Sequence, residues 1–135
     1  MNKESLDLIF TSFRDAQELS GLRVSIDRHI PKQCPYPTLS FLTIPLSKTL
    51  SPKSIEQICQ IYLENNWNQV KGFLDNMYGL GIRQIVLCDW ATKSQIEAGK
   101  LCVAGIIGRY IKYKAENGVF DYPITILYDD GRDKL

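Results

Sequence analysis

The segment from residue 83 to residue 128 constrains this chain most. Arg83–Cys88 (RQIVLC) is a short apolar run with β-branched residues, the pattern of a buried strand. From Ser94 to about Ala115 the pattern turns helical, with Ile96, Leu101, Val103, Ile107, Tyr110 and Ile111 among its apolar positions. Asn117-Gly118 stops that helix, and Tyr122–Tyr128 (YPITILY) reads as a further strand. Strand, helix, strand is a crossover unit, and its connection should be right-handed. A fold that contains it is expected to be an α/β sheet with mostly parallel strands.

The rest of the chain agrees with that unit. Leu6–Thr11 (LDLIFT) is a short apolar run that reads as a buried strand, and Phe13–Leu19 has room for a turn or two of helix before Gly21. Leu22–Ile26 alternates Leu22, Val24 and Ile26 against Arg23 and Ser25, a period of two. Thr38–Pro45 is β-rich and bounded by prolines, which suits an edge strand. Ser51-Pro52 is a helix-start signal: an N-cap hydroxyl, then proline at the first helical position. Ile55, Ile58, Cys59, Tyr62 and Leu63 follow at helical spacing. Asn65-Asn66 interrupts this helix, and a second stripe runs through Trp67, Val70, Phe73, Leu74, Met77 and Tyr78 to a stop at Gly79 and Gly81. The expected architecture is one compact α/β domain over residues 1–135, a largely parallel sheet of about five strands flanked by helices. The directions of the second and third strands are left open by the pattern.

Composition excludes several classes of chain and selects no function. With 135 residues, 44% hydrophobic and 23% charged, the chain matches neither a disordered segment nor a coiled coil. Sixteen Lys and Arg against fifteen Asp and Glu leave a net charge of +1, so bulk charge draws it to neither nucleic acid nor membrane. No apolar run approaches the ~20 residues that span a bilayer, and the N-terminal residues lack the apolar core of a secretory signal. Cys34, Cys59, Cys88 and Cys102 form no C-x-x-C pair, and His29 is the single histidine. The expectation is therefore reduced thiols, a cytoplasmic location, and no metal or cofactor of the zinc type.

Ligands of an open parallel sheet bind outside the carboxyl ends of its strands. That rule selects Thr11, Ser12 and Arg14 after the first strand, and Cys88, Asp89, Trp90, Thr92 and Lys93 after Arg83–Cys88. Asp129, Asp130 and Arg132 follow the last strand; an Asp pair suits a cation, but a C-terminal acidic turn is ordinarily just solvated. If the second strand is parallel, Arg28 and His29 join the site. Thr92 and Ser94 stand where the N-terminus of the long helix would bind an anion or simply be capped. His29 suits a phosphate contact or a general base as well as a solvated loop. Cys88 and Cys102 have two readings: nucleophiles activated near a helix N-terminus, or small buried hydrophobes. Ser12 or Ser25 with His29 and an aspartate would make up a Ser/His/Asp set, but no G-x-S-x-G elbow accompanies them. Neither G-x-G-x-x-G nor a P-loop lysine motif is present. Gly99, Gly105 and Gly108 cluster in the helical stretch, which calls for close packing or close approach of a ligand.

Three short pieces resemble the bacterial and archaeal family called domain of unknown function four-eight-eight. Phe10-Thr11-Ser12 followed by Gly21-Leu22 resembles the family's opening strand and its entry into the second. Leu87-Cys88-Asp89-Trp90 resembles its cysteine strand, and Cys102 stands in the cysteine place of its Cys-His-Arg helix, with Val103 and Ala104 in the other two places. The resemblance implies a compact α/β domain with a pocket between cysteine strand and cysteine helix, and it implies no settled activity.

The leading functional expectation is binding of a phosphate-bearing ligand, a nucleotide or nucleic acid, at the strand ends, with Trp90 available to stack on a base. A thiol enzyme using Cys88 or Cys102 is a second reading. A third is a protein-interaction subunit whose partner meets the proline-rich segment 31–46.

Overall fold

Nearly every position of Leu6–Ser12 is buried, and this strand, β1, is covered on both faces. The computed structural model describes residues 3–13, 15–26, 38–41, 52–89 and 103–128. After β1 come a short 3-10 turn at Asp15–Glu18, β2 at Leu22–Ser25 and β3 at Leu39–Ser40. Helices α1 (Pro52–Asn65) and α2 (Trp67–Gly79) precede β4 (Gln84–Asp89). Helix α3 (Val103–Glu116) then leads to β5 (Ile124–Tyr128). The sheet has five strands in the order β3-β2-β4-β1-β5, and every pairing is parallel. This is the expected single α/β architecture, and it settles the directions of β2 and β3.

Element ends differ from the sequence reading in instructive ways. Of the expected strand Thr38–Pro45, positions 42–45 lie outside the described residues; within them β3 is Leu39–Ser40, paired through Val24↔Leu39 and Ser25↔Ser40 at the sheet's edge. Tyr122 and Pro123 stay outside β5, since Tyr122 turns inward and the carbonyl of Pro123 accepts from the N–H of Leu6. Expected helix positions 94–102 lie outside the described residues. The Asn65-Asn66 break is present: the Asn66 side chain donates to the carbonyl of Tyr62 (2.8 Å) and closes α1 before α2 begins. Gly21 enters β2 with φ +119°, and a Cβ there would lie 2.7 Å from the carbonyl oxygen of Gln84, so both backbone and space demand glycine.

The two faces of the sheet are covered unequally. One carries Leu6, Leu8, Phe10, Val24, Ile85 and Leu87 against α1 (Cys59, Leu63), α2 (Val70, Leu74) and α3 (Ala104, Ile107, Ile111). Each large apolar side chain fully buried there contributes about 1.5–3 kcal/mol. The other face carries Ile9, Val86 and Cys88 against Phe13, Ala16 and Leu19 around the 3-10 turn. Arg23 holds that turn down, donating to the carbonyls of Ala16 (3.0 Å) and Leu19. Among the described residues no helix is long and apolar enough to cross a membrane.

Candidate functional site

Strand order places the reversal of the chain's winding between β1 and β4. From the end of β1 the chain crosses β4 to reach β2, while from the end of β4 it crosses β1 to reach β5. Right-handed crossovers in opposite directions leave on opposite faces. The carboxyl ends of β1 and β4 are thus the switch point where an open sheet receives ligands.

Polar burial is concentrated at that point. Among the described residues the buried polar or charged side chains are Thr11, Ser12, Ser25 and Asp89, all at the carboxyl ends of β1, β2 and β4. Register arranges them in two rows. Ser25, Cys88 and Thr11 are aligned across β2, β4 and β1, each fully buried, on the face of the 3-10 turn. Ser12 and Asp89 are aligned one residue further on, on the helical face, and keep 6% and 7% exposure. Adjacent strands lie about 4.8 Å apart, so the three-strand row spans about 10 Å. Backbone bonds from Phe13 N–H to the carbonyl of Asp89 (3.1 Å) and from Ile26 N–H to that of Cys88 (3.0 Å) fix the strand ends.

The hydroxyl of Thr11 is fully buried and has no hydrogen-bond partner among the described residues. Such a group costs about 1–3 kcal/mol in desolvation. Cys88 packs with Ile9, Phe13, Ala16, Leu19 and Val86, its Sγ 3.9 Å from the carbonyl of Val86. Cys59 is buried under α1, where desolvation pushes its thiol up to about 11.

The strand-end rule thus selected Thr11, Ser12, Cys88 and Asp89, and the fold brings these four together. Arg14, Arg28, His29, Trp90, Thr92, Lys93 and Cys102 lie outside the described residues, as do Asp129, Asp130 and most of segment 31–46. Of that segment, Leu39 is exposed, while Phe41 turns inward and stacks on Phe73 at 4.5 Å between ring centres.

At the amino ends of the strands a different cluster lines an open cleft of about 510 Å³. Arg83 lies over the ring of Tyr78 at 3.7 Å, and Tyr78 stacks on Tyr122 at 4.0 Å and 7°. The Tyr122 hydroxyl donates to Asp75 (2.7 Å), and Lys71 donates to the other carboxylate oxygen (2.7 Å). Burial would raise the Asp75 carboxyl, but the hydrogen bonds from Lys71 and Tyr122 and the charge of Lys71 outweigh it and hold it low. Burial, then the bond to Asp75, drives the Tyr122 phenol well up. Arg83 donates to the carbonyls of Tyr78 (2.7 Å) and Ile82 (3.1 Å), and its Nε sits 3.3 Å from the Glu4 carboxylate as an ion pair without hydrogen-bond alignment. The polar side chains of this cluster bind one another. Sequence reasoning missed the cluster because its members are far apart in the chain and carry no motif.

Fold and site define an open, all-parallel α/β domain whose buried polar side chains, among the described residues, gather at the carboxyl ends of β1, β2 and β4. No family model, curated protein or solved structure matches the chain.

Proposed function

We propose that the protein binds a small phosphate-bearing ligand at the carboxyl ends of β1, β2 and β4. The observation that carries this reading is the buried, unpartnered hydroxyl of Thr11 at the switch point of the sheet. A ligand oxygen seated there supplies the missing partner and removes its cost. Ser25 stands in the same ~10 Å row as Thr11, a span that suits a phosphate and its ester group better than a polymer backbone. The sequence adds charge nearby: Arg14 is two positions beyond Ser12, Arg28 three beyond Ser25, and Lys93 four beyond Asp89. Burial of Cys88 in apolar surroundings argues against the thiol-enzyme reading at that residue.

The test is a thermal-shift titration of the full chain with inorganic phosphate, pyrophosphate, a nucleoside monophosphate and a single-stranded oligonucleotide. A compound that binds only the folded state adds about 2.7 kcal/mol at a hundredfold excess over Kd. The expected result is a saturable shift with a small phosphate compound that Thr11→Val weakens, although that variant alone is no less stable. No shift with any compound, or an equal shift in Thr11→Val, overturns the reading. A shift with the oligonucleotide alone, falling steeply with salt, transfers the function to nucleic acid.

A further inference from the structure

We infer that the protein associates with a second copy of itself through the outer face of α1 and α3. This is independent of the phosphate-binding reading and concerns a different part of the molecule. An open groove of about 310 Å³ runs between the two helices. Glu56 and Glu64 of α1 line one side, and Arg109, Tyr110 and Tyr113 of α3 line the other, with the buried Ile106 beside them. Among the described residues the ion pairs are Lys3–Asp121, Lys71–Asp75 and Arg83–Glu4, so no salt bridge there answers the three groove charges. Burial, then the charge of Glu64, raises the Tyr110 phenol, so that carboxylate acts across the groove. Lys114 is committed within the chain, its Nζ 5.3 Å from the ring centre of Trp67 and 5.5 Å from that of Tyr110. Arg109 stays exposed. Apolar surface adjoins these charges: Ile61 and Tyr113 are 58% and 57% exposed. Helical spacing sets Ile61 beside Glu64 and Tyr113 beside Arg109.

The pattern of charge selects the occupant. Acid on one helix and base on its neighbour make the face self-complementary. A two-fold axis running along the groove lays α1 of each copy on α3 of the other at the same height. Glu64 of one copy then faces the Arg109 side of the other, and the contact occurs twice. Ile61 and Tyr113 are brought together by the same operation. Each helix is only about 21 Å long, so the interface is small and the dimer belongs with the weak, reversible ones.

Sedimentation velocity of the full chain, from micromolar to millimolar concentration and at low and high salt, tests this. The expected result is a monomer–dimer equilibrium that salt loosens. Arg109→Glu and Glu64→Arg should each weaken it about tenfold or more, because each sets like charges against one another at both contacts. An equimolar mixture of the two variants should associate again, since the mixed dimer has opposite charges at both, and that rescue also shows that both variants are folded. A monomer at every concentration overturns the inference and leaves the face to a different protein. A dimer that neither variant weakens, or variants that mixing does not rescue although both melt like the wild type, also overturns it.

Discussion

The two ends of the sheet solve the problem of burying polar groups in opposite ways. At the amino end Arg83, Tyr78, Tyr122, Asp75 and Lys71 form a chain in which stacking, hydrogen bonds and charge answer one another. At the carboxyl end the Thr11 hydroxyl is buried without a hydrogen-bond partner among the described residues. The first arrangement stabilises the fold. The second costs stability, and a cost of that kind persists where a ligand is to be met.

The largest effect tests the amino end. Gly21→Ala places a Cβ against the Gln84 carbonyl at a positive φ, and we expect a loss of about 3 kcal/mol or more in chemical denaturation. A smaller loss would mean that β2 shifts easily, and the two rows at the far end would then be loosely aligned. Next is Tyr122→Phe, which removes a hydrogen bond to a charged partner and should cost about 1.5 kcal/mol. No loss would show that the amino-end network contributes little, and the contrast would fail. Thr11→Val should act in the opposite direction, stabilising the unliganded protein by about 1 kcal/mol, roughly 4 °C in Tm. A destabilised Thr11→Val would reveal a partner for the hydroxyl. Tyr122→Phe with Thr11→Val should be additive within about 0.5 kcal/mol, because the ends of β1 are some 16 Å apart.

The pH dependence is the finest test. Between its ordinary 9.0 and about 11 the Cys59 thiol keeps its proton in the folded protein and loses it in the unfolded one. The unfolded state then binds fewer protons, so stability is complete below pH 9 and falls as pH rises through about 11. Tyr122, raised above its ordinary 10.0, extends the fall to higher pH. Alkaline melts of Cys59→Ala and Tyr122→Phe should each lose part of that slope, with Thr11→Val unchanged.

Much of the fold was legible because its strands are buried on both faces. Runs such as Leu6–Thr11 and Arg83–Cys88 announce themselves by continuous apolarity, and the glycines and asparagines between them mark the helix ends. Thr38–Pro45 was read as an edge strand, and β3 is one, but β-propensity does not say which residues find a neighbour: among the described ones they are Leu39 and Ser40. Strand order was not legible at all, and without it the row Ser25–Cys88–Thr11 has no meaning, since the three residues are adjacent only through register. The strand-end rule still found Thr11, Ser12, Cys88 and Asp89, because it requires only that strands be parallel. The pairing of Tyr78 with Tyr122 depends on how β4 and β5 flank β1, and nothing local encodes that.

The central place of β1 also sets the order in which the chain can fold during synthesis. Its two neighbours are β4 and β5, so Leu6 waits for Ile124 and Asp7 for Gln84 before either finds a partner. An apolar strand made well before both of its partners stays exposed while the segments between them are synthesised. Sheets built from such distant pairings fold slowly, and the ribosome-bound nascent chain, more than the finished protein, is where this sequence is most at risk of aggregation.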